Sequence, residues 1–109
     1  MQDDQYQNIL YHIEKSRIHD LVTRFEEVNY PENYDPEIVK PIKMEPELVY
    51  ITTLFQIMVS LIDGKCEVNM GKLVKKFPFE TLVEWIEVSK KCWPLKRNIR
   101  AFLNRLYYF

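Results

Sequence analysis

Four prolines at a regular spacing of five residues constrain this chain of 109 residues more than any other feature. Each proline removes a backbone hydrogen-bond donor and disfavours the helical conformation in the residue before it, so no helix runs through the segment. The sequence therefore predicts N-terminal helices within residues 1–28, a proline-rich connector over 29–46 and a helical region over 47–109. We expect the three parts to form one helical domain. The prolines are Pro31, Pro36, Pro41 and Pro46.

The proline-rich connector allows two interpretations. The first is an extended segment that lies over the helices and joins them. The second is a ligand for an SH3-like partner, but such ligands carry the spacing PxxP, whereas the spacing here is PxxxxP. The spacing therefore favours the extended connector.

Apolar residues recur every three or four positions on both sides of the connector, which is typical of amphipathic helices. Upstream, the pattern runs from Asp4 to Val28 and changes phase near Ser16, which favours two short helices over one kinked helix. The sequence contains no run that alternates between apolar and polar residues as a strand does. Downstream, we predict helices over residues 47–62, 68–77, 79–92 and 94–108.

Two of the predicted helices carry informative local signals. The helix over 47–62 has apolar side chains over roughly 200° of its circumference, so we expect it to contact other helices on at least two sides. Asp63-Gly64 follows it, and glycine is the usual left-handed residue after a helix. In the helix over 79–92, Glu87 and Lys91 are spaced as an i,i+4 ion pair, in the last turn where the helix dipole favours cations.

These patterns predict an all-α fold of about five to six helices. Short loops between helices with wide apolar faces allow either a small helical bundle or a fragment of an armadillo-like α-solenoid. The sequence has only two glycines, Gly64 and Gly71, which argues against a turn-rich β-barrel and against a glycine-rich phosphate loop.

Charge is distributed unevenly along the chain. Residues 1–50 carry eleven acidic and five basic side chains, and residues 51–109 carry five acidic and ten basic ones. Two solvated faces of opposite sign would explain this pattern, and a basic docking surface in the second half is the alternative. Neighbouring acids, Glu84 and Glu87, argue against nucleic acid as the partner. We predict that the partner-facing residues are Lys96, Arg97, Arg100, Tyr107, Tyr108 and Phe109.

The sequence lacks the side-chain patterns of an enzyme or a metal site. His12 and His19 are seven positions apart, about two helical turns, which is too far for one metal ion or one proton relay. Cys66 and Cys92 form no CxxC motif and are typical of buried thiols in a reducing compartment. We therefore expect no catalytic residue, no metal and no cofactor.

The N-terminus and the hydropathy pattern predict a cytoplasmic chain. The first residues contain neither a basic region nor an apolar core of the kind that signal peptides have. The longest nearly uncharged run, residues 48–62, is too short and too polar to cross a bilayer. We expect no membrane span.

Three segments resemble the helical region shared by inositol trisphosphate receptors and ryanodine receptors. The first runs from Glu47 to Lys65 and ends in an acidic-Gly-Lys turn, and the second runs from Phe77 to Val83 and begins a helix at a proline. The third runs from Pro94 to Tyr107 and contains a pattern close to FLNxxY. Residues 18–25 (IHDLVTRF) resemble the preceding helix.

This resemblance implies a module in the cytosolic solenoid of a tetrameric intracellular Ca²⁺-release channel, at the cytosolic face of the endoplasmic reticulum. Its role there would be to scaffold the assembly and couple ligand binding to the pore, with neighbouring helical repeats as its partners. The basic residues that grip inositol phosphates in that family have no counterpart here, so the resemblance implies no ligand residue. The alternative is a free-standing armadillo-like adaptor that binds a protein partner through its C-terminal helices.

Overall fold

Five α-helices make up most of the described chain. The computed structural model describes residues 15–62 and 67–108; 74% of them are helical and none forms a strand. The predicted all-α fold is confirmed, and the arrangement fits a small helical bundle. The alternative of a solenoid fragment stays a prediction. The helices are α1 (Lys15–Asn29), α2 (Pro46–Ile62), α3 (Glu67–Lys76), α4 (Phe79–Val88) and α5 (Trp93–Tyr107).

Some of the sequence predictions concern other parts of the chain. The helix predicted before Ser16, the Asp63-Gly64 stop signal and the partner-facing Phe109 lie outside the described residues. His12 and Cys66 also lie outside them.

The connector between α1 and α2 contains no helix and is shaped by local hydrogen bonds. Tyr34 N–H donates to the Pro31 carbonyl at 2.8 Å, and Ile38 N–H donates to the Asp35 carbonyl at 3.1 Å. The Asn29 side chain donates to the Lys43 carbonyl and accepts from the Lys43 N–H, both at 2.8 Å. These bonds return the connector to the end of α1.

Two ion pairs hold α1 beside the start of α2. Arg24 makes two parallel hydrogen bonds to the Glu45 carboxylate, at 2.8 and 2.9 Å. About two helical turns earlier on α1, Arg17 pairs in the same way with Glu47. Bidentate pairs of this kind fix the relative orientation of the two chain segments, although their exposure to solvent keeps their contribution to stability small.

Four aromatic rings form the centre of the core. Phe55 from α2 and Phe77 from the α3–α4 junction each make edge-to-face contacts with Trp85 and Phe102, and the ring centroids lie between 5.2 and 6.0 Å apart. This geometry places the positive edge of one ring against the negative face of the next. The four rings therefore join α2, α4 and α5 and the junction before α4.

Helix α2 buries one side of its wide apolar arc and leaves another side in solvent. Leu48, Ile51 and Phe55 are buried, and Asn98 of α5 donates a hydrogen bond to the Thr52 carbonyl at 2.9 Å. Within the described chain, the opposite side remains exposed, and 60% of the Tyr50 surface is accessible. We call this side the α2 outer face; its apolar residues are Val49, Tyr50 and Ile57.

Helix α4 ends four residues earlier than the predicted end at Cys92. A turn over residues 89–92 follows Val88, in which Cys92 N–H donates to the Ser89 carbonyl at 2.7 Å. Two helices that pack against each other need a connection of several residues, and Pro94 at the start of α5 leaves no room for it unless α4 stops early. The predicted Glu87–Lys91 pair is therefore wrong, because Lys91 lies outside the helix and places its ammonium 5.3 Å from the Tyr30 ring centroid.

Candidate functional site

The outward side of α5 carries a shallow depression that we call the basic groove. It encloses about 490 Å³ and is lined by Trp93, Lys96, Arg97, Arg100, Ala101 and Asn104. All six side chains project from the side of α5 opposite its buried stripe. The basic groove therefore contains the three cations that the sequence singled out.

The sequence of α5 explains why the basic groove faces outward. Residues at the repeating positions Leu95, Ile99, Phe102 and Leu106 are buried in the core. A helical turn of 3.6 residues places Lys96, Arg97 and Arg100 on the other side. Asn98 fixes the rotation of α5 through its bond to α2.

The charges of the basic groove are largely uncompensated. Within the described chain, neither Arg97 nor Arg100 has a carboxylate partner. Lys96 and Arg100 are like charges at i,i+4, and Lys96 lies in the first turn, where the helix dipole disfavours a cation. The first turn of α5 contains no acidic residue. An anionic partner would relieve each of these unfavourable interactions.

Trp93 is the residue of the basic groove that the sequence analysis missed. Its surface is 55% exposed, and Lys96 places its ammonium 4.6 Å from the ring centroid. Its position outside the apolar stripe of α5 was the available signal. An exposed tryptophan flanked by cations is a common anchor in protein interfaces.

Tyr107 packs within this chain, whereas the sequence predicted that it faces a partner. Its hydroxyl donates to the Phe77 carbonyl at 2.6 Å, and its ring packs against Phe79 with the centroids 5.4 Å apart. Burial raises the pKa of this hydroxyl above its ordinary value. Tyr107 therefore serves the fold of this chain, whereas Tyr108 is 60% exposed and remains accessible to a partner.

In the part of the chain that the structure describes, the remaining reactive side chains do not converge on a site. Cys92 is buried, and desolvation raises the pKa of its thiol, which keeps it protonated near neutral pH. His19 is exposed beside Asp20. Within residues 15–62 and 67–108, no three histidine, cysteine or acidic side chains are grouped as metal ligands.

No helix in the described ranges combines the length and the apolar character needed to cross a bilayer.

Comparisons with protein-family models, with curated proteins and with solved structures found no match. The resemblance to calcium-release channels therefore stays a hypothesis, and the geometry of the chain itself carries the functional argument.

Proposed function

We propose that this chain is a non-catalytic helical module that binds an acidic, amphipathic segment of a protein partner in the basic groove. The observation that carries the proposal is the combination, on one face of α5, of an exposed Trp93 with two cations, Arg97 and Arg100, that have no carboxylate partner within residues 15–62 and 67–108. Tryptophan and arginine are the side chains that most often dominate the binding energy of protein interfaces. The acidic side chains of the partner would pair with the cations while an apolar side chain packs on Trp93.

The side chains that line the basic groove favour a peptide over nucleic acid. Proteins that bind single strands align several exposed aromatic side chains along a basic path, so that successive bases stack on them. Within the described part of the chain, Trp93 is the one aromatic residue that lines this groove. A single anchor flanked by charge suits one turn of an amphipathic helix better.

Binding of a synthetic helical peptide tests the proposal. The peptide carries leucines along one face with glutamates beside them, and the control peptide has lysines in place of the glutamates. We expect Arg97→Glu/Arg100→Glu to weaken binding of the acidic peptide at least about tenfold, measured by fluorescence anisotropy. The matched control Lys75→Glu/Lys90→Glu makes the same change in net charge on exposed residues that do not line the groove.

Three results would contradict this function. Equal loss of binding in the groove variant and in the matched control would show a non-specific charge effect. Unchanged binding in Trp93→Ala would show that the tryptophan does not anchor the peptide. Tighter binding of a single-stranded oligonucleotide than of the acidic peptide would favour a nucleic-acid ligand.

The α2 outer face favours a second candidate function. An exposed apolar side on a helix suits the stacking of a further helix, as between repeats of a solenoid. We therefore also propose, following the resemblance, that the chain is a coupling module in the cytosolic assembly of a calcium-release channel. An antibody to this segment tests the idea on fractionated cells: a membrane-bound species of several hundred kDa supports it, and a soluble band near 13.3 kDa contradicts it.

A further inference from the structure

The connector has acidic and aliphatic side chains that complement the cations and the tryptophan of the basic groove. Between Tyr30 and Val39 it contains three acidic residues and no basic one. Val39 is 96% exposed, and Ile38 beside it is about half exposed, so aliphatic side chains follow directly on the acidic stretch. The acidic residues, which we call the connector acids, are Glu32, Asp35 and Glu37.

The connector acids are available for a partner. In the described chain none of them is ion-paired, and Asp35 makes only a local bond, accepting from the Glu37 N–H at 3.0 Å. The turns at residues 31–34 and 35–38 hold this segment in shape. A preformed segment loses less conformational entropy on binding than a flexible one does.

The connector begins close to the start of the basic groove. Lys91 places its ammonium over the ring of Tyr30, the residue that begins the connector, and Trp93 begins α5 two positions later. Two complementary surfaces that are close together on one chain can meet reciprocally across a two-fold axis. Each connector then occupies the groove of the other copy, and both contacts form in one closed dimer.

We infer that the occupant of the basic groove is the connector of a second copy of this chain. This inference rests on the proposed function of the groove and names its partner. Glu32, Asp35 and Glu37 of one copy face Lys96, Arg97 and Arg100 of the other, and the aliphatic pair Ile38-Val39 packs on Trp93. Lys40 and Lys43 follow the acidic stretch and lie at the rim of the contact. A contact that joins only one short segment and one groove on each copy is transient, and we expect a dissociation constant on the order of 100 μM.

A charge-swap experiment on the full chain tests the inference by analytical ultracentrifugation. The groove variant is Arg97→Glu/Arg100→Glu, and the connector variant is Glu32→Lys/Glu37→Lys, which keeps Asp35 because its side chain holds the turn. We expect the wild type to dimerise as its concentration rises and each variant alone to stay monomeric. An equimolar mixture of the two variants restores complementary charges, and we expect it to associate again. Since these side chains are exposed, the substitutions leave the core unchanged.

Controls separate this contact from other modes of association. Glu80→Lys/Glu87→Lys changes net charge as the connector variant does, on exposed residues of α4, and we expect it to dimerise like the wild type. Val39→Ser tests the aliphatic tip, and we expect at least about a threefold weaker dimer. Added salt weakens the wild-type dimer, because the contact is electrostatic.

Each remaining outcome decides against the inference. A dimer that persists in the groove variant forms through another surface, such as the α2 outer face. Two variants that stay monomeric when mixed, beside a dimeric wild type, do not meet through these charges. A wild type that stays monomeric at millimolar concentration but binds the acidic peptide overturns the inference and leaves the proposed function intact. A monomer that also fails to bind the acidic peptide overturns both.

Discussion

At the scale of single residues, Lys90 adopts a backbone conformation that suits a different side chain. Its φ of 43° lies in the left-handed region, which glycine occupies without steric cost. Lys90 is exposed, so truncation removes no packing. We expect Lys90→Gly to raise the free energy of unfolding by about 0.5 kcal/mol, after the greater freedom of glycine in the unfolded chain is subtracted.

Urea unfolding measures this effect. As a control, Lys90→Val places a β-branched side chain in the same conformation, and we expect it to lower stability by about 1 kcal/mol. A Lys90→Gly variant that is less stable than the wild type would show that the lysine side chain itself stabilises the turn.

Arg100 combines its proposed role in the basic groove with a cost to the helix. Lys96 and Arg100 repel each other at i,i+4 on α5, so Arg100→Glu replaces a repulsion with an attraction. We expect the variant to be more stable by about 0.5 kcal/mol in thermal unfolding at low salt, and to bind the acidic peptide more weakly. Arg105→Glu makes the same charge change in the last turn of α5, where the helix dipole favours a cation, and we expect it to lower stability instead. A loss of stability in Arg100→Glu would contradict the argument.

At the scale of elements, we expect the attachment of α1 to the start of α2 to weaken at low pH. The guanidinium of Arg24 lowers the pKa of Glu45 below its ordinary value of 4.5, chiefly through their hydrogen bonds. A carboxyl group with a lowered folded-state pKa contributes stability above its unfolded pKa, and this contribution is lost as the pH falls through the folded value. We therefore expect the wild type to lose stability on acidification below about pH 4.5 more steeply than Arg24→Ala does.

Urea unfolding at a series of pH values from about 6 to 3 measures the two slopes. Arg24→Lys keeps the charge but loses the paired geometry, and we expect it to fall between the wild type and Arg24→Ala. Parallel slopes in all three proteins would show that Glu45 titrates without influence from Arg24.

The sequence predicted helix starts most accurately where the apolar periodicity and a nearby proline indicate the same residue. For α2, a proline precedes a wide apolar run, and for α5, a proline follows the turn, so both helices begin within one residue of the predicted start. The end of α4 was misplaced because its last turn is decided by a tertiary requirement. Ser89 and Cys92 are buried in the turn that reverses the chain, and no local signal marks residues 89–92 as non-helical.

At the scale of the whole molecule, the charged part of the candidate site follows from the sequence, whereas its aromatic part depends on tertiary contacts as well. Lys96, Arg97 and Arg100 are identified by the helical period alone, because they lie opposite an apolar stripe. Whether Trp93 and Tyr107 are exposed or covered depends on neighbours that are distant in sequence. Tyr107 turns inward because Phe79 and the Phe77 carbonyl lie beside it, whereas Trp93 has no such cover in the described chain.

Because four aromatic rings join the helices in one core, we expect the chain to unfold cooperatively. Phe77 is fully buried and contacts both Trp85 and Phe102. We expect Phe77→Ala to lower the free energy of unfolding by about 3–5 kcal/mol, and Phe77→Leu to cost about 1.5 kcal/mol. The exposed Tyr108→Ala should change it by less than about 0.5 kcal/mol.

Far-ultraviolet and near-ultraviolet circular dichroism follow the helices and the aromatic core in the same urea titration. If α2, α4 and α5 depend on one shared core, both signals change together, and Phe77→Leu moves both midpoints by the same amount. Such a cooperative monomer would count against the solenoid hypothesis, because an isolated piece of a solenoid depends on its neighbours for stability. Signals that separate, with helix content outlasting the aromatic signal, would contradict the single core and favour stacked repeats that need the α2 outer face covered.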